Sequence, residues 1–260
     1  MKPLSLDLDD MKEALKQNKS LLLKYLAFQD FRDLSCGSKY RREDVYALSH
    51  PGGHPHNWNH LSETTLKTIE DFAKDLTQSS LNNNNSISKS GIPETSTEHK
   101  KTDSDDKHKA KPSLLQVLWT KMTTNKPLFA PFLDAGSRLV FAQSQVVIWA
   151  TEGLSHIIAM SVFEDRYGVV QKKLPLILTS LINLQKTVER HKGLTFTAKH
   201  VKKDIREDDV RDQELKQELR TTIKKSIHRI VNTFGDNISA VPLSAEIRSK
   251  VEGYKNFMEV

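Results

Sequence analysis

Apolar positions are densest at residues 149–188, WATEGLSHIIAMSVFEDRYGVVQKKLPLILTSLINLQKTV. Charges interrupt this stretch at Glu152, Glu164, Asp165, Arg166, Lys172 and Lys173. A membrane-spanning helix needs roughly 20 mostly apolar residues, and the apolar blocks between these charges read as too short. The spacing instead predicts a buried helical pair. A long helix from about 137 to 163 carries one stripe of Val140, Val147, Ala150, Leu154, Ile157 and Ile158. Trp149, Gly153 and Met160 make a second apolar side, the pattern of a helix at the centre of its domain. Residues 165–168 form the turn, and Pro175 suits the first turn of the next helix, which runs through Ile177, Leu178, Leu181, Ile182, Leu184 and Val188 to near Gly193.

The same periodicity recurs on both sides. Upstream, Asp9 or Asp10 caps a helix carrying Met11, Leu15, Leu22, Tyr25, Leu26 and Phe28. A second helix covers 41–48, and a third starts near Ser62 with Leu66, Ile69, Phe72, Ala73 and Leu76 on one face. Ser113 opens a short helix with Leu114, Leu115, Leu118 and Trp119, which Pro127 and Pro131 stop. Downstream, residues 208–234 turn Leu215, Leu219, Ile223, Ile227, Ile230 and Phe234 inward, and Gly235 is the natural cap. A last helix from Ser244 carries Ile247, Val251 and Tyr254. No strand pattern competes, so the fold class is all-α, either a helical bundle or a short irregular solenoid.

Composition divides this helical chain. Residues 79–112 hold an Asn run, many Ser and Thr and mixed charge. Such a segment has too little apolar surface to offset about 1–2 kcal/mol of backbone entropy per ordered residue. It reads as a disordered linker between an N-terminal helical segment (1–78) and a C-terminal helical domain (113–260). A single cysteine, Cys36, excludes an internal disulfide. The net charge of +6 admits nucleic acid or an acidic membrane as partner, but the excess is spread along the chain. The N-terminus lacks a signal-peptide pattern, so the chain as written reads as soluble and unsecreted.

Four groups of residues invite a chemical reading. His50, His54, His56 and His60 crowd one stretch, but Pro51, Gly52, Gly53 and Pro55 rule out the helical spacing of a zinc enzyme, and no carboxylate lies among them. A rigid loop, with Trp58 packed on the core and His56 or Asn57 bonding backbone, fits better. Glu152 and His156 lie one turn apart and can pair, yet no nucleophile has motif context beside them. Glu164, Asp165 and Arg166 suit a helix cap that bridges to the next helix. The bases between Lys199 and Arg229 are interleaved with Asp204, Glu207, Asp208, Asp209, Asp212, Glu214 and Glu218, a solvated helix face rather than a nucleic-acid groove. No catalytic residue, cofactor or metal ligand is assigned.

Two segments then become recognisable together. Residues 26–58, LAFQDFRDLSCGSKYRREDVYALSHPGGHPHNW, and 149–185 resemble the C-terminal half of the nuclear-division-cycle transmembrane nucleoporin family. Residues 223–241, IKKSIHRIVNTFGDNISAV, are similar to its closing helix. The motifs that carry the resemblance are PGGHPHNW (Pro51, Gly52, Gly53, His54, Pro55, His56, Asn57, Trp58), Glu152, Gly153 and His156, and EDRYGVVQ (Glu164, Asp165, Arg166, Gly168, Val169, Val170, Gln171).

The resemblance implies a non-enzymatic nuclear-pore scaffold at the nuclear envelope, with these motif residues structural or facing partners. It implies recruitment of an Aladin-like WD-repeat protein and amphipathic-helix linker nucleoporins, pore assembly and, in fungi, spindle-pole-body insertion. It implies membrane attachment only through an upstream half that this chain does not show, so that the chain is a fragment or truncated product. Small-molecule substrates and direct nucleic-acid binding are not expected. The linker is shorter than the family pattern, and 193–214 does not match it. A basic helical module that binds membrane surface or nucleic acid is the alternative.

Overall fold

A computed structural model describes residues 6–17, 20–89, 135–191 and 207–256, and every regular element among them is helical. The helices are α1 (Leu8–Lys16), α2 (Leu21–Gly37), α3 (Lys39–Tyr46), α4 (His56–Lys89), α5 (Ala135–Phe141), α6 (Ser144–Glu164), α7 (Leu174–Arg190), α8 (Glu207–Phe234) and α9 (Ala245–Lys255). Short 3-10 turns at Gln171–Lys173 and Gly235–Ala240 precede α7 and follow α8. The short helix expected from Ser113 and most of the expected linker lie outside the described residues.

Local chemistry sets the boundaries. The first expected helix divides because the chain becomes extended at Gln17 and Ser20 caps a new helix, its hydroxyl accepting from Leu23 N. Ser38 ends α2 by donating its N–H to Leu34 O and opens α3 by accepting from Arg41 N at 3.3 Å. The third helix starts at His56 rather than Ser62, because Asn59 N already bonds Pro55 O. It also continues past Gln78 to Lys89, and Ser79 there is buried against Gly136 of α5. The helix expected over 137–163 is interrupted at Ala142–Gln143. Pro175 sits in the first turn of α7, which ends at Arg190, short of Gly193. At the end of α8, Gly235 takes φ +52°, where the missing Cβ relieves the left-handed strain.

α6 is the hub. Ala150, Leu154, Ile157 and Ile158 are fully buried. α2, α4 and α8 cover it, while α7 joins α4 to α8. Ile223, Ile227 and Ile230 of α8 complete the core, and Trp58, Leu61, Ile69 and Leu76 bring α4 into it. One continuous cluster runs from Met11 to Tyr254, so helices before and after the expected linker share a core. α9 closes one side, where Tyr254 Oη donates to Gln185 Oε1 at 2.8 Å.

Because α6 starts at Ser144, Val146, Val147 and Ile148 add to the apolar run, and only Glu152 and Glu164 are charged in its 21 residues. The reading that every apolar block is too short is therefore corrected. α6 is long and apolar enough to cross a membrane by length and composition, and 67% of its most apolar window is buried by neighbouring helices.

Candidate functional site

The PGGHPHNW motif begins as a tight turn. Gly53 N donates to His50 O at 2.8 Å, with Pro51 and Gly52 between them. Proline fixes φ at the first central position, and Gly52 supplies φ +79° at the second, the type II pattern. Ser49 N closes the loop on His54 O at 3.1 Å. Beyond it, Trp58 is fully buried. Asn57 ties three elements together, donating to Asp44 O of α3 at 2.9 Å and accepting from Lys12 Nζ of α1 at 2.8 Å. His54 and His56 point outward, their rings edge-to-face at 6.1 Å. Among the described residues, no group of three or more His, Cys, Asp or Glu side chains is placed to hold a metal.

The EDRYGVVQ motif forms a second turn, at the end of α6. Asp165 accepts from Tyr167 N at 3.1 Å and from Val170 N at 3.0 Å. Gly168 adopts φ +63°, and Val169 and Val170 fold back into the core. Gln171, packed under Gly168, opens the 3-10 turn. Lys173 Nζ then reaches Asn59 O, Ser62 Oγ and Glu63 Oε1 of α4, fixing the entry to α7.

Glu164 was expected to bridge to the next helix. It bridges to α3 instead, because Arg42 projects back over the end of α6. Arg42 Nε and Nη2 donate to the two Glu164 carboxylate oxygens at 2.8 and 2.7 Å. Both side chains are more than nine-tenths buried. Arg42 Nη1 also donates to Ser35 O at 3.0 Å. Beside this pair, Tyr46 Oη donates to Ile157 O at 2.6 Å, and burial raises its pKa well above the ordinary phenolic value. Neither Arg42 nor Tyr46 carries a local sequence signal: each lies in a short, strongly charged helix, and its partner is more than a hundred positions away.

The two turns meet at the surface. Tyr46, Leu48, His50 and Pro51 form one lip of a cleft of about 520 Å³, and Glu164, Arg166 and Tyr167 form the other. Tyr167 is 62% exposed, and Phe163 just before it is 79% exposed. Buried ion-pair and hydroxyl contacts thus hold an open rim that includes Glu43, His50, Arg166 and Tyr167.

Glu152, Gly153 and His156 do not join this cleft. Glu152 pairs with Arg32 of α2 at 3.0 Å and lines a separate surface depression with Trp149 and Lys225. The expected Glu152–His156 pairing therefore gives way to a bridge between helices. Gly153 lets α2 approach closely: a Cβ there would lie 2.8 Å from the Phe31 ring. Burial lowers the pKa of His156, and the Arg229 charge lowers it further. Arg229 itself donates to Ser155 Oγ at 2.6 Å.

Known proteins resemble this chain over most of its length. Nucleoporin NDC1 of Xenopus laevis is 27% identical over 354 aligned positions, covering 94% of this chain and 54% of that protein. Nucleoporin NDC1 of Danio rerio is 26% identical, with the same two coverages. Nucleoporin ndc-1 of Caenorhabditis elegans is 25% identical over 86% of this chain and 40% of its own length. The chain thus spans about half the length of the vertebrate relatives it matches. The sequence profile described as nucleoporin protein Ndc1-Nup matches residues 11–133 and 94–252, which include both turns, their buried supports and the α6 hub. With most of its length matched, the chain belongs to the Ndc1-Nup nucleoporin family.

Proposed function

We propose that this chain is a non-catalytic structural component of the nuclear pore complex at the nuclear envelope, and that the cleft between the PGGHPHNW and EDRYGVVQ turns docks other nucleoporins. One observation carries the reading. The two motifs, far apart in sequence, form opposite lips of one exposed cleft, and their buried groups fix its shape. By family resemblance the partners are an Aladin-like WD-repeat protein and amphipathic-helix linker nucleoporins. Through them the chain contributes to pore assembly, nucleocytoplasmic transport and, in fungi, spindle-pole-body insertion. Attachment to the membrane falls to a membrane half of the kind the resemblance implies.

The test is affinity capture with the full chain and with Tyr167→Ala and Arg166→Glu, both at exposed positions that leave the core intact. The intact chain recovers nucleoporins, and each variant weakens capture by about ten-fold or more, the scale of an interface hot spot. Recovery of no nucleoporin by well-folded protein overturns the proposal. So does salt-sensitive binding to DNA or anionic vesicles that exceeds any nucleoporin binding, which would favour the basic-module alternative.

A further inference from the structure

On a different face, α1, α2, α4 and α5 enclose a groove of about 800 Å³. Its floor is apolar, built from Leu15, Phe72, Val146 and Val147. Its rims set exposed apolar side chains, Leu21 at 60% and Leu139 at 69%, beside Lys16, Lys24 and Gln143. Glu63, Asp71 and Asp75 of α4 are balanced by Lys16, Lys24 and Lys67, so the lining carries no net charge. We propose that this groove is the seat of residues 113–122 of the same chain, bound as an amphipathic helix.

Pattern and reach both favour this occupant. SLLQVLWTKM places Leu114, Leu115, Leu118, Trp119 and Met122 on one helical stripe behind the Ser113 cap. Ten helical residues are about 15 Å long, and the wall from His60 to Asp75 runs roughly 22 Å. The tether ends at Ala135, the first residue of α5, which itself carries the rim residue Leu139. The intervening residues 123–134 span at most about 40 Å when extended, so the segment is held at the mouth of the groove at roughly millimolar effective concentration. The segment carries a single charge, Lys121, and no acidic residue, so docking its apolar stripe strands no charge in the groove.

Hydrogen exchange on the full chain tests the assignment. A ten-residue helix is marginal alone in water, so slow exchange at 113–122 reports docking. These amides should exchange about ten-fold slower than their intrinsic rates, independently of protein concentration. Leu139→Glu, at an exposed position, and Leu118→Glu, in the segment itself, should each remove that protection. Intrinsic-rate exchange at 113–122 overturns the proposal, as does protection insensitive to both variants or confined to 128–133. Concentration-dependent protection would also overturn it, because a second copy would then be the occupant.

Discussion

The buried Arg42–Glu164 pair gives the sharpest energetic prediction, because it is the strut between the two lips of the cleft. Replacing Glu164 with Gln keeps the side-chain shape but leaves the guanidinium buried without a counter-charge. Removing one member of a buried pair typically costs about 3–5 kcal/mol. Arg42 retains its bond to Ser35 O, which places the expected loss near 3 kcal/mol. Arg42→Met strands the carboxylate instead and should cost a similar amount. The double variant Arg42→Met/Glu164→Leu exchanges the pair for apolar contact and should recover most of the loss, within about 1 kcal/mol of the parent. Urea unfolding at neutral pH, followed by helical circular dichroism, reads this as midpoint shifts with little change in slope. Losses below about 1 kcal/mol for both single variants would mean that the pair behaves as an exposed one. With Glu164→Leu also measured alone, simple additivity of Arg42→Met and Glu164→Leu in the double variant would show that the two side chains are not coupled. Either outcome refutes the reasoning.

Two further predictions concern the hub. Gly153→Ala should destabilise by about 1–3 kcal/mol, since the new Cβ would lie 2.8 Å from Phe31 and 3.3 Å from Arg32 Cα. An exposed helical glycine would instead gain up to about 1 kcal/mol from the same change, so thermal denaturation decides by sign. The pKa values of His156 and His60 are both lowered in the fold, chiefly by burial. The unfolded chain therefore binds more protons just below its histidine pKa of about 6.5, and stability falls as pH drops from there towards the folded values. His156→Gln should flatten that dependence; an unchanged slope between pH 7.5 and 5.5 would count against the assignment.

Most helical stripes were legible because periodicity is a local property. Leu22 and Leu26 of the first expected helix are exposed, since the chain breaks after Lys16 and a new helix starts at Leu21. Ile223, Ile227 and Ile230 face inward as their spacing demands, and Gly235 caps α8 with the positive φ that glycine permits. The two turns of the cleft could be read as turns from Pro51, Gly52 and Gly168, but not as neighbours. The break at Ala142–Gln143 has no Pro or Gly to mark it, and no side-chain cap bond opens α6. Likewise, the packing of Gly136 on Ser79, where α4 runs on towards Lys89, involves two small residues that carry no hydrophobic signal.

The sequence by itself determined the all-α class, the apolar faces of the main helices and the resemblance to a family, since these depend on spacing and short motifs. Only the tertiary structure decided that α2 and α4 share one core with α6, α7 and α8, that Arg42 meets Glu164, and that the two motif turns form one cleft. Those pairings depend on which buried faces and charges satisfy one another in space, and one-dimensional spacing does not encode that choice.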